Sequence, residues 1–235
     1  FASGATVQAN AQNEFGEQAT SQSILEEIIV TANKREQNIQ DVPASISALS
    51  ASMLENRGIT TPQDLQYSVP GLTIGETSVG SAQVTIRGVG TENASAGGDP
   101  GVPLHIDGHY IQFPAYMLKD LLDVERVEVQ RGPQGTLYGR NAVGGNINII
   151  TKRPSDAFEG SLSLALGNYN KRQLQAVVSG PMTDSLRGRV AMSKDKRDGI
   201  VENISPLANN DELLGSDYTS VRASLEYDAT DNIEV

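Results

Sequence analysis

Cysteine and tryptophan are absent from this 235-residue chain. Without cysteine there is no disulfide scaffold, no thiolate metal site and no cysteine nucleophile. Aromatics make up 5% and apolar residues 38%, which is thin for a compact core. Nowhere do about 18 apolar residues run together, so no transmembrane helix is expected. Basic residues are also scarce. Lys and Arg number 18 against 29 Asp and Glu, a formal charge of −11. Nucleic acid is therefore not an expected partner, because phosphate recognition needs a basic patch. Glycine (23) and proline (10) together stay below the roughly 25–30% share of low-complexity sequence. What remains is a β-rich globular domain or a β-barrel, whose strands need only alternate.

Both ends read as cut. There is no initiator Met, and Ala9-Asn10-Ala11 is a small-x-small triplet of the kind that ends a signal peptide. A flexible polar N-terminus is the alternative. At the other end Asn232-Ile233-Glu234-Val235 begins an alternating run and stops. Gln12 to Ser23 is polar and reads as a disordered linker. A β-prone island follows, Glu27-Ile28-Ile29-Val30-Thr31-Ala32.

From Val42 the texture is globular. Ile46 to Leu49 is a short strand candidate. Ser52 and Glu55 read as a capping box for a short helix ending at Gly58. Thr61-Pro62-Gln63-Asp64 starts a second helix that must stop before Pro70. Val84 to Ile86 is a strand leading into Arg87-Gly88, and Glu92 to Pro103 reads as a loop. Val102 to Ile106, Asp107-Gly108 and His109 to Gln112 form a hairpin on a D-G turn. Leu118 to Leu122 reads as a helical turn. Val124 to Gln130 is a strand, Gly132 to Gly135 a turn, and Asn146 to Thr151 a further strand. This block is a small domain of mixed strands and short helices.

After Pro154 the pattern becomes strict alternation. Leu162, Leu164 and Leu166 alternate with small or polar neighbours. So do Leu174, Ala176 and Val178, then Leu186, Val190 and Met192, then Val221, Ala223, Leu225 and Tyr227. Each run is about nine or ten residues, enough to cross a membrane as a tilted strand. The connections at Gly180 to Ser185 and Asp228 to Asp231 are tight, and Asp195 to Asp217 is long and polar. Barrels of the outer membrane have short turns inside and long loops outside. Four complete strands do not close a barrel, since the smallest have about eight.

Taken in order, these marks resemble a TonB-dependent outer-membrane receptor over about Glu26 to Val235. The carrying motifs are the 27–32 island, Ile86-Arg87-Gly88-Val89, Ile106-Asp107-Gly108 and Val124-Glu125-Arg126-Val127-Glu128-Val129. The strongest runs from Arg131-Gly132-Pro133-Gln134-Gly135-Thr136-Leu137-Tyr138-Gly139 through Gly144-Gly145-Asn146 to Thr151-Lys152-Arg153-Pro154. The resemblance implies an α+β plug domain followed by antiparallel transmembrane β-barrel strands, incomplete in this chain. It implies a signal remnant and linker over 1–25, a TonB box and linker over 26–41, a plug over 42–153 and the first four to five barrel strands over 154–235.

The implied function is active transport of a scarce ligand, such as a ferric siderophore, across the outer membrane of a Gram-negative bacterium, with the plug filling the barrel. The implied partners are TonB, an extracellular ligand and outer-membrane lipid. Glu27, Ile28, Ile29, Val30, Thr31 and Ala32 are the implied TonB-binding strand, and strand addition suits their extended preference. Arg87 and Arg131 are implied to lock the plug by pairing with barrel carboxylates, since a buried Arg needs a partner. Glu92, Asn93, Ser95, Gln112, Phe113 and Tyr116 are the implied ligand contacts on outward loops. Gly88, Gly132, Gly135, Gly139, Gly144 and Gly145 are expected to serve tight turns and close backbone approach.

Other signals are weaker. His105, Asp107 and His109 have metal-like spacing, but the D-G turn puts the two His on either side of a bend. Gly132 to Gly139 lacks the G-K-[ST] ending of a phosphate loop. Asn209 to Glu212 lacks the calcium-loop spacing. No cofactor, metal or catalytic residue is expected, and no enzyme. The rival readings are a signalling receptor, a soluble secreted β-rich binding or adhesion module, and a passive porin. The polar stretch before the 27–32 island is too short for a signalling domain, and a porin would need neither island nor plug.

Overall fold

The computed structural model describes residues 29–31, 35, 37–42, 44–76, 82–90, 100–112, 119, 121–203, 212–230 and 233–234. These fall into two compact units that divide between Lys152 and Arg153.

The N-terminal unit opens with β1 (Ile29–Val30), paired antiparallel with β2 (Gln37–Asn38). After a short 3₁₀ turn come β3 (Ser45–Ser50) and α1 (Ala51–Asn56). The cap of α1 is Ser50 rather than Ser52: the Ser50 hydroxyl accepts from Met53 N at 3.4 Å. β3 ends on that serine, so its extended backbone already stands in the capping conformation. The second helix, Pro62–Tyr67, is 3₁₀ rather than α. The Asp64 carboxylate takes the backbone N–H groups of Thr60 (3.0 Å) and Thr61 (2.8 Å).

Next come β4 (Leu72–Glu76), β5 (Ala82–Ile86) and β6 (Val89–Gly90), a three-stranded antiparallel sheet. β4 was not expected from sequence, because Gly71 and Gly75 hide its short alternation. β7 (Leu104–Ile106) and β8 (His109–Ile111) form the D-G hairpin. Asp107 and Gly108 both have positive φ, 49° and 78°, which is the twist a two-residue hairpin turn requires. Residues 118 and 120 of the expected helical turn lie outside the described residues, and Leu122–Asp123 is a turn. β9 (Val124–Arg131), the one-turn α2 (Gly135–Tyr138) and β10 (Gly145–Thr151) complete the unit.

The main sheet has the order β3-β9-β10-β7-β8. β7 and β10 are parallel, and the other pairs are antiparallel. One face carries Leu49, Val127, Val129, Ile147, Ile149 and Leu104, and these form the core with the β4-β5 sheet and α1. The sheet also needs glycine at one crossing. A Cβ on Gly145 would stand 2.2 Å from the Gln130 carbonyl oxygen.

The C-terminal unit is one antiparallel sheet, β11-β12-β13-β16-β17. Its strands are β11 (Glu159–Gly167), β12 (Lys171–Thr183), β13 (Leu186–Arg197), β16 (Ser216–Thr230) and β17 (Ile233–Glu234). β14 (Val201–Glu202) and β15 (Glu212–Leu213) make a small hairpin inside the long polar connection. β12, β13 and β16 have 13, 12 and 15 residues, longer than the alternating apolar runs. They continue into polar sequence, as in Lys194 to Arg197 of β13.

This sheet is inverted relative to a water-soluble one. Gln173, Ser179, Arg189, Ser193 and Asp195 are buried, whereas Leu162, Leu166, Val221 and Leu225 are each at least 64% exposed. Leu162, Ala176, Met192 and Val221 share one cross-strand row. Polar groups on one face and an unbroken apolar band on the other is the division that a lipid-facing barrel wall needs. On the polar face Arg189 Nη1 donates to Glu159 at 2.6 Å, and Arg187 bridges Asp156 (2.7 Å) and Asp228 (2.9 Å).

Candidate functional site

The second face of the main plug-unit sheet is polar yet buried. β9 alternates, so Arg126, Glu128 and Gln130 point away from the core that holds Val127 and Val129. In register with them lie Ala48 and Ile46 of β3, and Asn148 and Asn146 of β10. His105 of β7 pairs with Asn148. Glu128, Gln130, Asn146, Asn148 and His105 are all buried.

Part of the cover is the N-terminal segment. Val30 is 0% exposed and packs with Val42 against Ile39, Ile46 and Ala48. Thr31 then turns its peptide group onto β9. Its backbone N–H donates to Glu128 Oε1 at 2.8 Å, and its hydroxyl reaches the same carboxylate at 3.1 and 3.3 Å. The Thr31 carbonyl accepts from the Tyr138 hydroxyl at 3.5 Å.

Glu128 is fully buried, and burying a lone carboxylate is costly. Arg126 answers that cost, with Nε donating to Glu128 Oε1 at 2.9 Å. Arg126 also pairs with Glu125. Tyr138 closes the other side. Gln130 Nε2 donates to its hydroxyl at 3.1 Å, and the His105 ring meets it edge-on at 5.1 Å. Burial raises the Tyr138 pKa above its ordinary 10.0; the Gln130 bond lowers it and the Glu128 charge raises it further. The phenol thus stays protonated and able to donate.

Of the sequence-expected strand, Ile29, Val30 and Thr31 are described; Glu27, Ile28 and Ala32 lie outside the described residues. Ile29 is 46% exposed. Sequence reading missed Glu128, Arg126 and Tyr138. One signal was available: the neighbouring runs V-E-V-Q and N-I-N-I alternate alike, which gives one sheet face rich in amides with a single carboxylate.

Arg87 and Arg131 come together at Ser45. Arg87 Nη2 donates to Ser45 Oγ at 3.3 Å, and Ser45 is the cross-strand partner of Arg131. Arg131 Nε is buried and makes no hydrogen bond among the described residues. Arg87 sits at φ 54° and Gly88 at 77°, so Arg-Gly is itself a two-residue turn, between β5 and β6. A non-glycine residue in this conformation costs about 1 kcal/mol.

Gln112, the described member of the ligand-contact set, is exposed just after β8. Glu92, Asn93, Ser95, Phe113 and Tyr116 lie outside the described residues. His105 is buried and bonded to Asn146 at 2.6 Å, and His109 is exposed. Asp107 accepts from Thr151 N and Thr151 Oγ1, each at 2.8 Å, so its carboxylate ties the hairpin turn to the end of β10.

A family model for the TonB-dependent receptor plug domain matches residues 38–146. The chain is 34% identical over 210 residues to the pesticin receptor of Yersinia pestis, covering 88% of this chain and 30% of that protein. It is 33% identical over 199 residues to the iron-regulated outer membrane virulence protein of Vibrio cholerae, covering 78% of this chain and 29% of that protein. The crystal structure of the ferric yersiniabactin uptake receptor from Yersinia pestis matches with a TM-score of 0.71 at 31% identity, over 78% of this chain and 29% of that one. The chain thus spans about 30% of the length of these two curated relatives and 20% of the ferric-pyoverdine receptor of Pseudomonas sp. that it also matches. These relatives are receptors and transporters rather than enzymes. With a plug-domain match followed by strands whose apolar face looks outward, and relatives whose identity runs through both, the chain belongs to the family of TonB-dependent outer-membrane receptors and carries the plug and part of the barrel.

Proposed function

We propose that this chain is the plug and first barrel strands of an active transporter that carries a ferric chelate across the outer membrane, gated by TonB pulling on residues 27–32. The observation that carries this reading is the state of residues 29–31. They are strand-forming and lie outside the five-stranded sheet, held by one short strand pair, one buried valine and side-chain bonds. A segment attached in this way can detach without dismantling the core. TonB would add a strand to it through main-chain hydrogen bonds. The outer membrane holds no ATP, so the energy must arrive mechanically from the inner membrane.

The ferric chelate is favoured because the uptake receptor matched above is named for ferric yersiniabactin. In the same reading the plug fills the barrel, and Glu92, Asn93, Ser95, Gln112, Phe113 and Tyr116 face the ligand. Arg87 and Arg131 pair with barrel carboxylates to hold the plug. Their convergence on Ser45 and the unbonded Arg131 Nε support that role.

The test is Ile29→Pro in the intact receptor, with a panel of radio-iron-loaded siderophores supplied to cells. Proline removes a main-chain N–H and opposes strand addition, while Ile29 is half exposed and contributes little packing. Uptake should fall to the level of cells lacking TonB, with surface binding of the chelate retained. Unchanged uptake would overturn the reading.

A further inference from the structure

We infer that Glu128 is the positioning residue that parks the TonB-binding strand against the plug, and that TonB must displace this carboxylate to engage the strand. The inference rests on the reading of residues 27–32 as that strand.

Strand addition uses main-chain N–H and C=O groups. At Thr31 both are already taken inside the plug, the N–H by Glu128 and the C=O by Tyr138. Next to it, Ile29 and Val30 are paired with β2. The parked strand therefore offers few of the groups that an incoming strand needs. Glu128 is suited to hold it, because a charged acceptor makes a stronger bond than a neutral one. It reaches across 97 positions of sequence, so the contact fixes the segment to the sheet rather than to its own neighbours.

The grip is also built to open. When Thr31 leaves, Glu128 loses its N–H and hydroxyl donors. The Arg126 Nε at 2.9 Å stays, since both residues belong to β9. The carboxylate is never left as a lone buried charge, which would be strongly destabilising. Release therefore costs the Thr31 bonds, the burial of Val30 and the short β1-β2 pair, and the main five-stranded sheet of the plug unit stays intact.

The experiment uses the intact receptor in vesicles with one cysteine introduced into this chain, which itself has none, and with any cysteine elsewhere in the receptor replaced by serine. Cysteine replaces Val30, which is buried when the strand is parked, or Ile147, which is buried in the sheet core. Maleimide labelling is followed with and without Glu128→Ala. Losing the charge-assisted hydrogen bonds from the Thr31 N–H and hydroxyl should raise labelling at position 30 by about tenfold or more. Labelling at position 147 should not change. The periplasmic domain of TonB should bind the Glu128→Ala receptor more tightly by a similar factor.

Unchanged labelling at position 30 overturns the inference. A rise at both positions also overturns it, because Glu128 would then be holding the sheet. If labelling rises only at position 30 but TonB binds neither form, the parking role stands and the TonB reading fails. If TonB binds both forms equally and labelling is unchanged, the TonB reading stands and the parking role fails.

Discussion

Strands β9 and β13 alternate in the same way, but their apolar faces meet opposite fates. In β9 the valines 127 and 129 are fully buried in a dry core. In β13 it is Arg189, Ser193 and Asp195 that are buried, while Val190 and Met192 are exposed. Period two says which residues share a face. It does not say which face is wet. The neighbours decide that: β9 lies between β3 and β10 in a sheet backed by helix α1 and a second sheet, whereas the wall strands have nothing apolar against their apolar side among the described residues.

The sharpest way to break this contrast is to place one arginine in each unit. Ile147→Arg puts an unpaired charge in the plug core and should cost about 4 kcal/mol or more. Val221→Arg lies on the apolar side of the wall and should cost about 2–4 kcal/mol in a bilayer. In detergent-free water that position is merely exposed and should be indifferent. Urea unfolding of the intact receptor in vesicles, with hydrogen exchange of the plug read separately, measures both. A costless Val221→Arg in the bilayer would remove the lipid-facing assignment.

A smaller contrast lies in the turns. Asp107 ties its turn to Thr151, 44 positions away, whereas Asp184 sits exposed in the two-residue turn between β12 and β13. Asp107→Ala should lower plug stability by about 1.5 kcal/mol. Asp184→Ala should stay within about 0.5 kcal/mol. Denaturant midpoints of the two variants check the difference.

The smallest expected effect is a pH dependence confined to the plug. The folded state raises the Tyr138 pKa above its ordinary 10.0, through burial first, so it favours the neutral phenol. The stability tied to that phenol is therefore complete below the ordinary value and is lost as pH rises through the folded one. Labelling of a cysteine at position 30 should be flat up to about pH 10 and rise above it, after correction for thiol ionisation. Tyr138→Phe should abolish the rise.

Much of this could be read from the chain. The D-G hairpin was legible because two adjacent residues specify its turn. The wall strands were legible because their alternation is long. β4 was not, because two glycines interrupt so short a run. The α1 cap was placed two residues late, since Ser50 and Ser52 look alike until β3 is known to end on the first of them. Val124 to Gln130 read as a strand, with no sign of which faces would be covered. That its polar face is buried depends on Val30 and Thr31 arriving from about a hundred positions away, and no local pattern carries that information. The meeting of Arg87 and Arg131 at Ser45 is likewise a product of sheet order.

Arg87 carries a last consequence for anyone who engineers this molecule. It holds a left-handed backbone at φ 54°, where a two-residue turn prefers asparagine or glycine. A library ranked by melting temperature alone will therefore drift toward those residues at position 87 and discard the guanidinium with them. Under the proposed role of Arg87 in holding the plug, stability and transport are set against each other at that single site, and a redesign that keeps that role should hold position 87 fixed and look for its gains elsewhere.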